Sequence, residues 1–378
     1  MINRKRSILQ IIATAQRGGA EKHTRLISKA FRRRGFEVML VFPQGPYAEE
    51  FRGLERMGIA CIEFPVRRRP LRAIGFIRGL VRKYGVGYVH SHMHWADFIA
   101  ACAVRPLSGV CHFSTIHFLA SDYTNPFVRL RAVAMTRYAF AGMDRIFALS
   151  AATARRARET LGVDGARLTV MLNSIDFDEI RPDNGAVHRL KRELKADGTP
   201  LVLCAGLLHR IKGQRYLIEA VSLLRQRYPS LKLVLLGEGN ARPELEDCIR
   251  THHCTAQVLM PGYRSDIADW MAAADIYVQP SLVDTMPRAL LEAMYLGVPV
   301  VASRIESLAE VVRHGQTGMC AEPASADSLA AAIAYLLDHP DEARRMGEEA
   351  KRFVEQNCSM DVMAERMLKA VGGDGRDV

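Results

Sequence analysis

The stretch DIYVQPSLVDTMPRALLEAMYLGVPVVAS, residues 275–303, holds in one piece the unit from which the fold is read. DIYVQP is a short aromatic and β-branched run, which favours a strand. Pro287 suits a helix start and Gly297 a helix stop before VPVVAS, the next strand. Asp284 then falls in the loop ahead of the helix, and Glu292 about one and a half turns inside it. Ala289, Leu290, Ala293, Met294 and Leu296 form the apolar face of that helix.

Outward from this unit the alternation continues in both directions. LVLCAG, KLVLLG, QVLMPG, DIYVQP, VPVVAS and TGMCA are strand-like in the second half. ILQIIAT, EVMLVF, IACIEF, GYVHS, CHFST, RIFAL and LTVML are strand-like in the first. Amphipathic runs such as AEKHTRLISKAFRRR separate them, which predicts parallel sheets wrapped by helices. The pattern breaks at DFDEIRPDNGAVHRLKRELKADGTP into polar residues, Pro and Gly, a hinge. The expected organisation is α/β: a Rossmann-like domain over 1–180, a second over 181–340, and a helical tail over 341–378 packing back on the first. Open sheets of this kind bind ligands beyond the carboxyl ends of their strands.

A chain of 378 residues with 49% hydrophobic and 25% charged residues suits a two-domain globular enzyme. Its eight scattered cysteines favour a reducing cytoplasm. MINRKRSILQIIATA mimics a secretory signal, but Gln10 interrupts its short apolar run, and a buried first strand is the better reading. No run approaches the ~20 apolar residues of a membrane span. The net charge of +11 is uneven, with 28 Lys/Arg against 14 Asp/Glu through residue 180 and 24 against 27 thereafter. Clusters at Arg32–Arg34 and from Arg67 to Lys83 suit an anionic lipid or acidic polymer, or else a solvated face. No nucleic-acid motif or stacking aromatics accompany them.

The strand ends of the second half carry the chemistry. LVLCAGLLHRIKGQRYLIEA places Arg210 and Lys212 beside a helix start near Gly213, a site for phosphate or diphosphate. KLVLLGEGNARPELE repeats the form, with Glu238 between two glycines that let backbone approach a ligand. Glu292 is costly to bury unless hydrogen-bond donors meet it, and sugar hydroxyls are such donors. A helix-flank Glu in water is the plain alternative.

The order RGGAE, a His-rich strand end, VMLNSID, a glycine-then-KG loop, LLGEGN, PGYRSDI, Asp284-x7-Glu292 and TGMCAEP resembles the retaining glycosyltransferases of family 4 (group 1), across nearly the whole chain. The resemblance implies the GT-B fold, two Rossmann-like domains facing across a cleft, and no metal or other cofactor. It implies that a nucleotide-sugar donor, UDP-linked more often than GDP-linked, gives its sugar to a lipid-linked or saccharide acceptor. Bacterial surface glycan synthesis, of lipopolysaccharide or exopolysaccharide, is the expected setting. The enzyme would be cytoplasmic and peripheral at the inner face of the membrane.

Position by position, the resemblance puts Gly18 and Gly19 near donor phosphate and acceptor, and His117 on the transferred sugar. It puts Lys212, with Arg210, on the diphosphate, Glu238 and Arg264 in the donor and base pocket, Glu292 on the ribose and Asp284 on the donor sugar. Front-face transfer would lean on cations and N–H dipoles at the leaving phosphate. Two positions depart from the family pattern. Asp284-Thr285 replaces Glu-Gly, and Leu207 stands where an Arg is usual, leaving Arg210 as the substitute. A sugar-nucleotide epimerase and a non-catalytic sugar-nucleotide-binding module are the rival readings. Asp176-x-Asp178 and the His90, His92, His94 series are candidate metal sites set aside in favour of loop and cleft roles.

Overall fold

The structure is a computed structural model and describes residues 6–16, 18–194 and 198–372. The basic start Met1–Lys5, Arg17 of the glycine turn, 195–197 of the expected hinge and 373–378 of the tail lie outside the described residues. The chain divides into two compact units, one of Met1–Asn173 with Met360–Val378 and one of Ser174–Ser359.

In the first unit, strands β1 (Ser7–Ile12), β2 (Glu37–Phe42), β3 (Ala60–Glu63), β4 (Tyr88–His92), β5 (Cys111–Ile116), β6 (Arg145–Ala148) and β7 (Leu168–Val170) form one sheet. Its order is β3-β2-β1-β4-β5-β6-β7, and every pairing is parallel. Helices α1 (Gly19–Arg33), α2 (Ala48–Arg52), α3 (Pro70–Tyr84), α4 (Met93–Val104), α5 (Pro126–Phe140) and α6 (Ala151–Leu161) make the crossovers. Helices covering both faces explain why ILQII and VMLVF are continuous apolar runs rather than alternating ones. Gln10 is the exception, fully buried in β1.

The second unit begins its regular structure with α7 (Asn184–Leu194) and continues through β8 (Leu201–Ala205), α8 (Gln214–Leu224), β9 (Lys232–Leu236), α9 (Arg242–Thr251) and β10 (Val258–Gly262). It then runs through α10 (Ile267–Ala273), β11 (Ile276–Gln279), α11 (Arg288–Tyr295), β12 (Val300–Ser303), α12 (Glu306–Ala309), β13 (Met319–Ala321), α13 (Ala326–Asp338) and α14 (Pro340–Asn357). Its parallel sheet runs β10-β9-β8-β11-β12-β13. The opening stretch of sequence is thus β11-α11-β12.

The boundaries differ from the expected ones for identifiable reasons. Residues 174–180 are tied into the second unit: Arg288 donates to the Ser174 carbonyl, Ile175 N donates to Cys358 O at 2.9 Å, and Phe177 stacks on Tyr295 at 4.5 Å. Helix α14 packs on α11 and α13, so residues 341–359 belong to the second unit too. Only α15 (Met360–Ala370) joins the first unit, against α1. It buries Met360, Met363, Ala364, Met367 and Leu368 on one helical stripe. Arg33 grips Asp361 through two bonds of 2.9 and 3.0 Å, and Arg34 reaches Glu365 at 2.8 Å. Arg33 and Arg34 therefore serve this packing contact, while Arg32 donates to the Met57 carbonyl at 3.0 Å.

The burial, more than the charges, should hold α15. Met367→Ala is expected to destabilise the first unit by about 2–5 kcal/mol, whereas Asp361→Asn should cost less than about 1 kcal/mol because that pair is solvent-exposed. Urea unfolding of the whole chain, followed through the first unit's transition, checks the ranking.

Candidate functional site

In the second unit the strand order reverses between β8 and β11, the place where a doubly wound sheet opens a crevice. The loops after these two strands meet there. Lys212, closing a short 3-10 turn after β8, sets its Nζ 2.6 Å from Asp284 Oδ2. Ser281 Oγ donates to the same carboxylate oxygen at 2.9 Å, and Thr285 N donates to the other at 3.0 Å. Behind Ser281 the chain runs inward: Gln279 Nε2 donates to Ser281 Oγ at 2.8 Å, and Tyr277 OH donates to Gln279 Oε1 at 2.8 Å. Burial, then the nearby Cys204, Glu292 and Asp284, raises the Tyr277 phenol well above its ordinary range, so it stays a donor. Asp284 is thus held in place by donors on every side that the protein supplies.

Backbone geometry makes the pairing possible. Gly213 has φ +67°, and a Cβ there would stand 2.0 Å from the Pro280 carbonyl oxygen, so only glycine lets the two loops approach. Between Asp284 and the helix, Met286 is forced to φ +113°, a conformation bulky residues avoid. Strain of that kind persists where the surroundings over-determine the loop.

The other expected residues are distributed around this crevice. Arg210 pairs with Glu244 of α9 at 2.6 Å and is 81% exposed, so the structure does not bring its guanidinium to Lys212. His209, Arg210, Asn240, Ala241 and Glu244 line a cavity of about 250 Å³. Glu238 follows β9 and faces Arg242 at 3.4 Å. Arg264 forms a bidentate pair with Asp266, at 2.8 and 2.6 Å, over the ring of Trp270. Glu292 is 3% exposed on α11, where Arg288 Nη2 lies 3.4 Å from its carboxylate. The solvated-flank reading of Glu292 fails on that burial. Asp176 and Asp178 stay in a local turn, with Asp178 paired to Arg181. Among the described residues no group of three or more His, Cys, Asp or Glu could hold a metal ion.

In the first unit the order reverses between β1 and β4. After β1, Gly18 caps α1 with no side-chain help, and Gly19 opens the helix. Buried Glu21 turns back to accept from Gln16 N at 3.1 Å. The helix N-terminus leaves N–H groups directed outward, a setting suited to an anion. His117, just past β5, lies 3.0 Å from His92 through Nε2 and Nδ1, and His92 Nε2 lies 2.8 Å from Gln10 Oε1. His92 therefore bridges Gln10 and His117 through its two ring nitrogens, and the tautomers of the two rings are linked: whichever His92 nitrogen carries the proton donates and the other accepts. The orientation of the His117 ring is thereby coupled to groups inside the sheet. His23 of α1 packs edge-on to His117 at 4.7 Å between ring centres. Burial pushes His117 down to about 3, and burial with neighbouring imidazoles holds His90 and His92 well below the ordinary histidine value.

The sequence does not single out Gln10, His23, Glu21, Ser281, Gln279 and Arg288 as site residues, whereas His92 stands in the period-two series given a cleft role. Only the period-two histidines of β4 offered a signal, since neighbouring parallel strands bring His92 beside Thr115, two residues before His117. The buried polar residues of Ser91, Asp97, His112 and Ser114 form a separate knot under α4, with Ser91 Oγ donating to Asp97 at 2.7 Å.

The family model for Glycosyl transferases group 1 matches residues 188–353, and that for Glycosyltransferase Family 4 matches residues 17–179. The chain is 31% identical over 276 residues to a D-inositol 3-phosphate glycosyltransferase of Pseudarthrobacter chlorophenolicus, covering 69% of this chain and 65% of that protein. It is 29% identical over 245 residues to a GDP-mannose-dependent alpha-(1-6)-phosphatidylinositol monomannoside mannosyltransferase of Mycobacterium tuberculosis, covering 62% of this chain and 63% of that protein. Both matches span less than two thirds of the relative's own length. Anabaena HepE, solved in complex with UDP and glucose, aligns with a TM-score of 0.84 at 21% identity, covering 97% of this chain and 100% of that one. The fold is GT-B, with two Rossmann-like sheets.

The buried imidazoles make the first unit acid-sensitive. A histidine near 6.5 when unfolded and far lower when folded stabilises the fold above its unfolded value, and that stability is lost as pH falls. His90, His92, His112 and His117 all act in this sense, while Asp97, raised by burial to about 7, acts in the opposite one. Urea stability should therefore fall between pH ~7 and ~5. In the folded protein the His117 ring resonance should not titrate in that window.

Proposed function

Because the chain belongs to the group 1, family 4 glycosyltransferases, we propose that it is a retaining hexosyltransferase. It moves a sugar from a nucleotide-sugar, preferentially UDP-linked, to a lipid-linked or saccharide acceptor of a bacterial surface glycan. The observation that carries this reading is the Lys212–Asp284 pair at the β8/β11 crevice, a cation and a buried carboxylate 2.6 Å apart beside a helix start. Relatives whose names specify inositol phosphate and phosphatidylinositol mannoside acceptors support a phosphorylated or lipid-linked acceptor. A neighbour solved with UDP and glucose supports the nucleotide.

In this reading Lys212 Nζ meets the leaving diphosphate, where negative charge grows as the glycosidic bond lengthens. Stabilising that charge with a fixed cation is the largest contribution such a site can make. Asp284, already oriented by Ser281 and Thr285, accepts hydroxyl protons of the donor sugar, and Thr285 narrows the space where the sugar is read. Glu292 accepts the ribose hydroxyls while Arg288 holds its carboxylate. Gly18 and Gly19 offer backbone N–H groups to phosphate or acceptor, and His117 a neutral imidazole to the transferred sugar. Glu238 and Arg264 border the nucleotide. Arg210 reaches phosphate by leaving Glu244. The departing phosphate oxygen takes the acceptor proton, and no metal or other cofactor is required. The protein acts in the cytoplasm.

Lys212→Ala should lower turnover by on the order of a hundredfold or more, with folding retained because Ser281 and Thr285 still donate to Asp284. Wild-type turnover in that variant would sink the reading. Arg210→Ala should weaken donor binding or turnover, and unchanged values for both would remove Arg210 from the site. Thermal shift across UDP- and GDP-sugars identifies the donor, since a ligand raises stability in proportion to its occupancy of the folded state. A UDP-sugar should give the largest rise.

A further inference from the structure

In the first unit α3, α4 and α5 follow β3, β4 and β5, so all three begin at the carboxyl edge of the sheet. Helix α4 packs against both α3 and α5, which makes their first turns neighbours. Trp95 marks the seam, with the Arg67 guanidinium 5.9 Å and that of Arg131 5.5 Å from its ring centre. The ordinary partner of a helix N-terminus is an acid in the first turn, and none of these helices has one. Exposed Arg67, Arg68, Arg69 and Arg72 stand at the start of α3, and exposed Arg129 and Arg131 in the first turns of α5. None of the six makes an ion pair among the described residues. The field is felt locally: His94, at this edge, is lowered to about 4 by burial and then by Arg67 and Arg131.

Among these cations three apolar side chains face solvent, Leu71 and Phe127 at 83% exposure and Leu130 at 71%. Phe127 and Leu130 are three residues apart and share a helix face. Arginines alone would suit a solvated face or an acidic polymer. Uncovered Phe and Leu side chains within the same patch need an apolar phase, which an acidic polysaccharide does not offer and a bilayer boundary does. We propose that the first turns of α3 and α5 dock on an anionic lipid surface, the arginines on headgroup phosphates and Leu71, Phe127 and Leu130 at the acyl boundary. This rests on the lipid-linked-acceptor reading. It sets the membrane at the same edge of the sheet as His117 and the start of α1.

The whole chain is tested by co-sedimentation with vesicles of equimolar phosphatidylglycerol and phosphatidylcholine, with phosphatidylcholine vesicles, and with soluble alginate as competitor. Binding to the mixed vesicles and not to phosphatidylcholine alone is expected. Replacing Arg67, Arg68 and Arg69 together by Ser should lower partitioning by about a hundredfold. Phe127→Ser with Leu130→Ser should lower it by about tenfold or more, at high salt as well as low. Failure to bind the mixed vesicles would overturn the proposal. So would wild-type binding by the double serine variant, or alginate stripping the protein from vesicles. Donor-induced thermal shift on the same samples separates the two readings. If it persists while vesicle binding fails, only the docking surface is wrong, and if wild-type protein shows none, the transferase reading fails first.

Discussion

Parallel strand pairing is the constraint on which everything else rests. A parallel neighbour can be reached only by a crossover, so each strand ends at the same edge and each following helix starts there. The central strands are buried on both faces and largely apolar, Gln10 and the polar residues of β4 and β5 apart, and the carboxyl edge is where loops bring polar side chains together. Lys212 and Asp284, 72 residues apart, meet because β8 and β11 are adjacent where the order reverses. Gln10, His92 and His117 meet for the same reason across β1, β4 and β5.

The two edges treat charge in opposite ways. In the second unit a carboxylate is buried, yet it keeps its cation and two hydrogen-bond donors, which makes burial tolerable. In the first unit burial disfavours charge on the imidazoles, and His92 links Gln10 to His117 through both of its ring nitrogens.

What the sequence discloses follows from how local each cause is. EVMLVF and KLVLLG read as strands because burial on both faces needs only their own residues. Pro287 and Gly297 bracket α11 because caps are local. Arg33 and Arg34 read as part of a free basic patch, since their partners Asp361 and Glu365 lie more than 300 residues on. Arg210 and Lys212 sit in one short turn, but nothing local reveals that one turns to Glu244 and the other to Asp284. Glu292 was legible as a liability among apolar residues, and Arg288, one turn before it, as its neighbour only once the helix was known. The hinge was misplaced by a few residues because Ile175 and Phe177 are held by Cys358 and Tyr295, beyond any local signal.

Helix α15 has a consequence for the order of assembly. The second unit is one uninterrupted length of chain, Ser174–Ser359, whereas the first borrows its last helix from the far end. During synthesis from the N-terminus, the earlier unit emerges with the α1 surface that α15 covers still open to water. The later unit has all its residues before that surface is closed. The turns of Met363, Met367 and Leu368, made after the whole of the second unit, complete the core that was begun first. Long-range closure of this kind is slow relative to local structure, and it leaves an apolar face of the first unit exposed until α15 has been made.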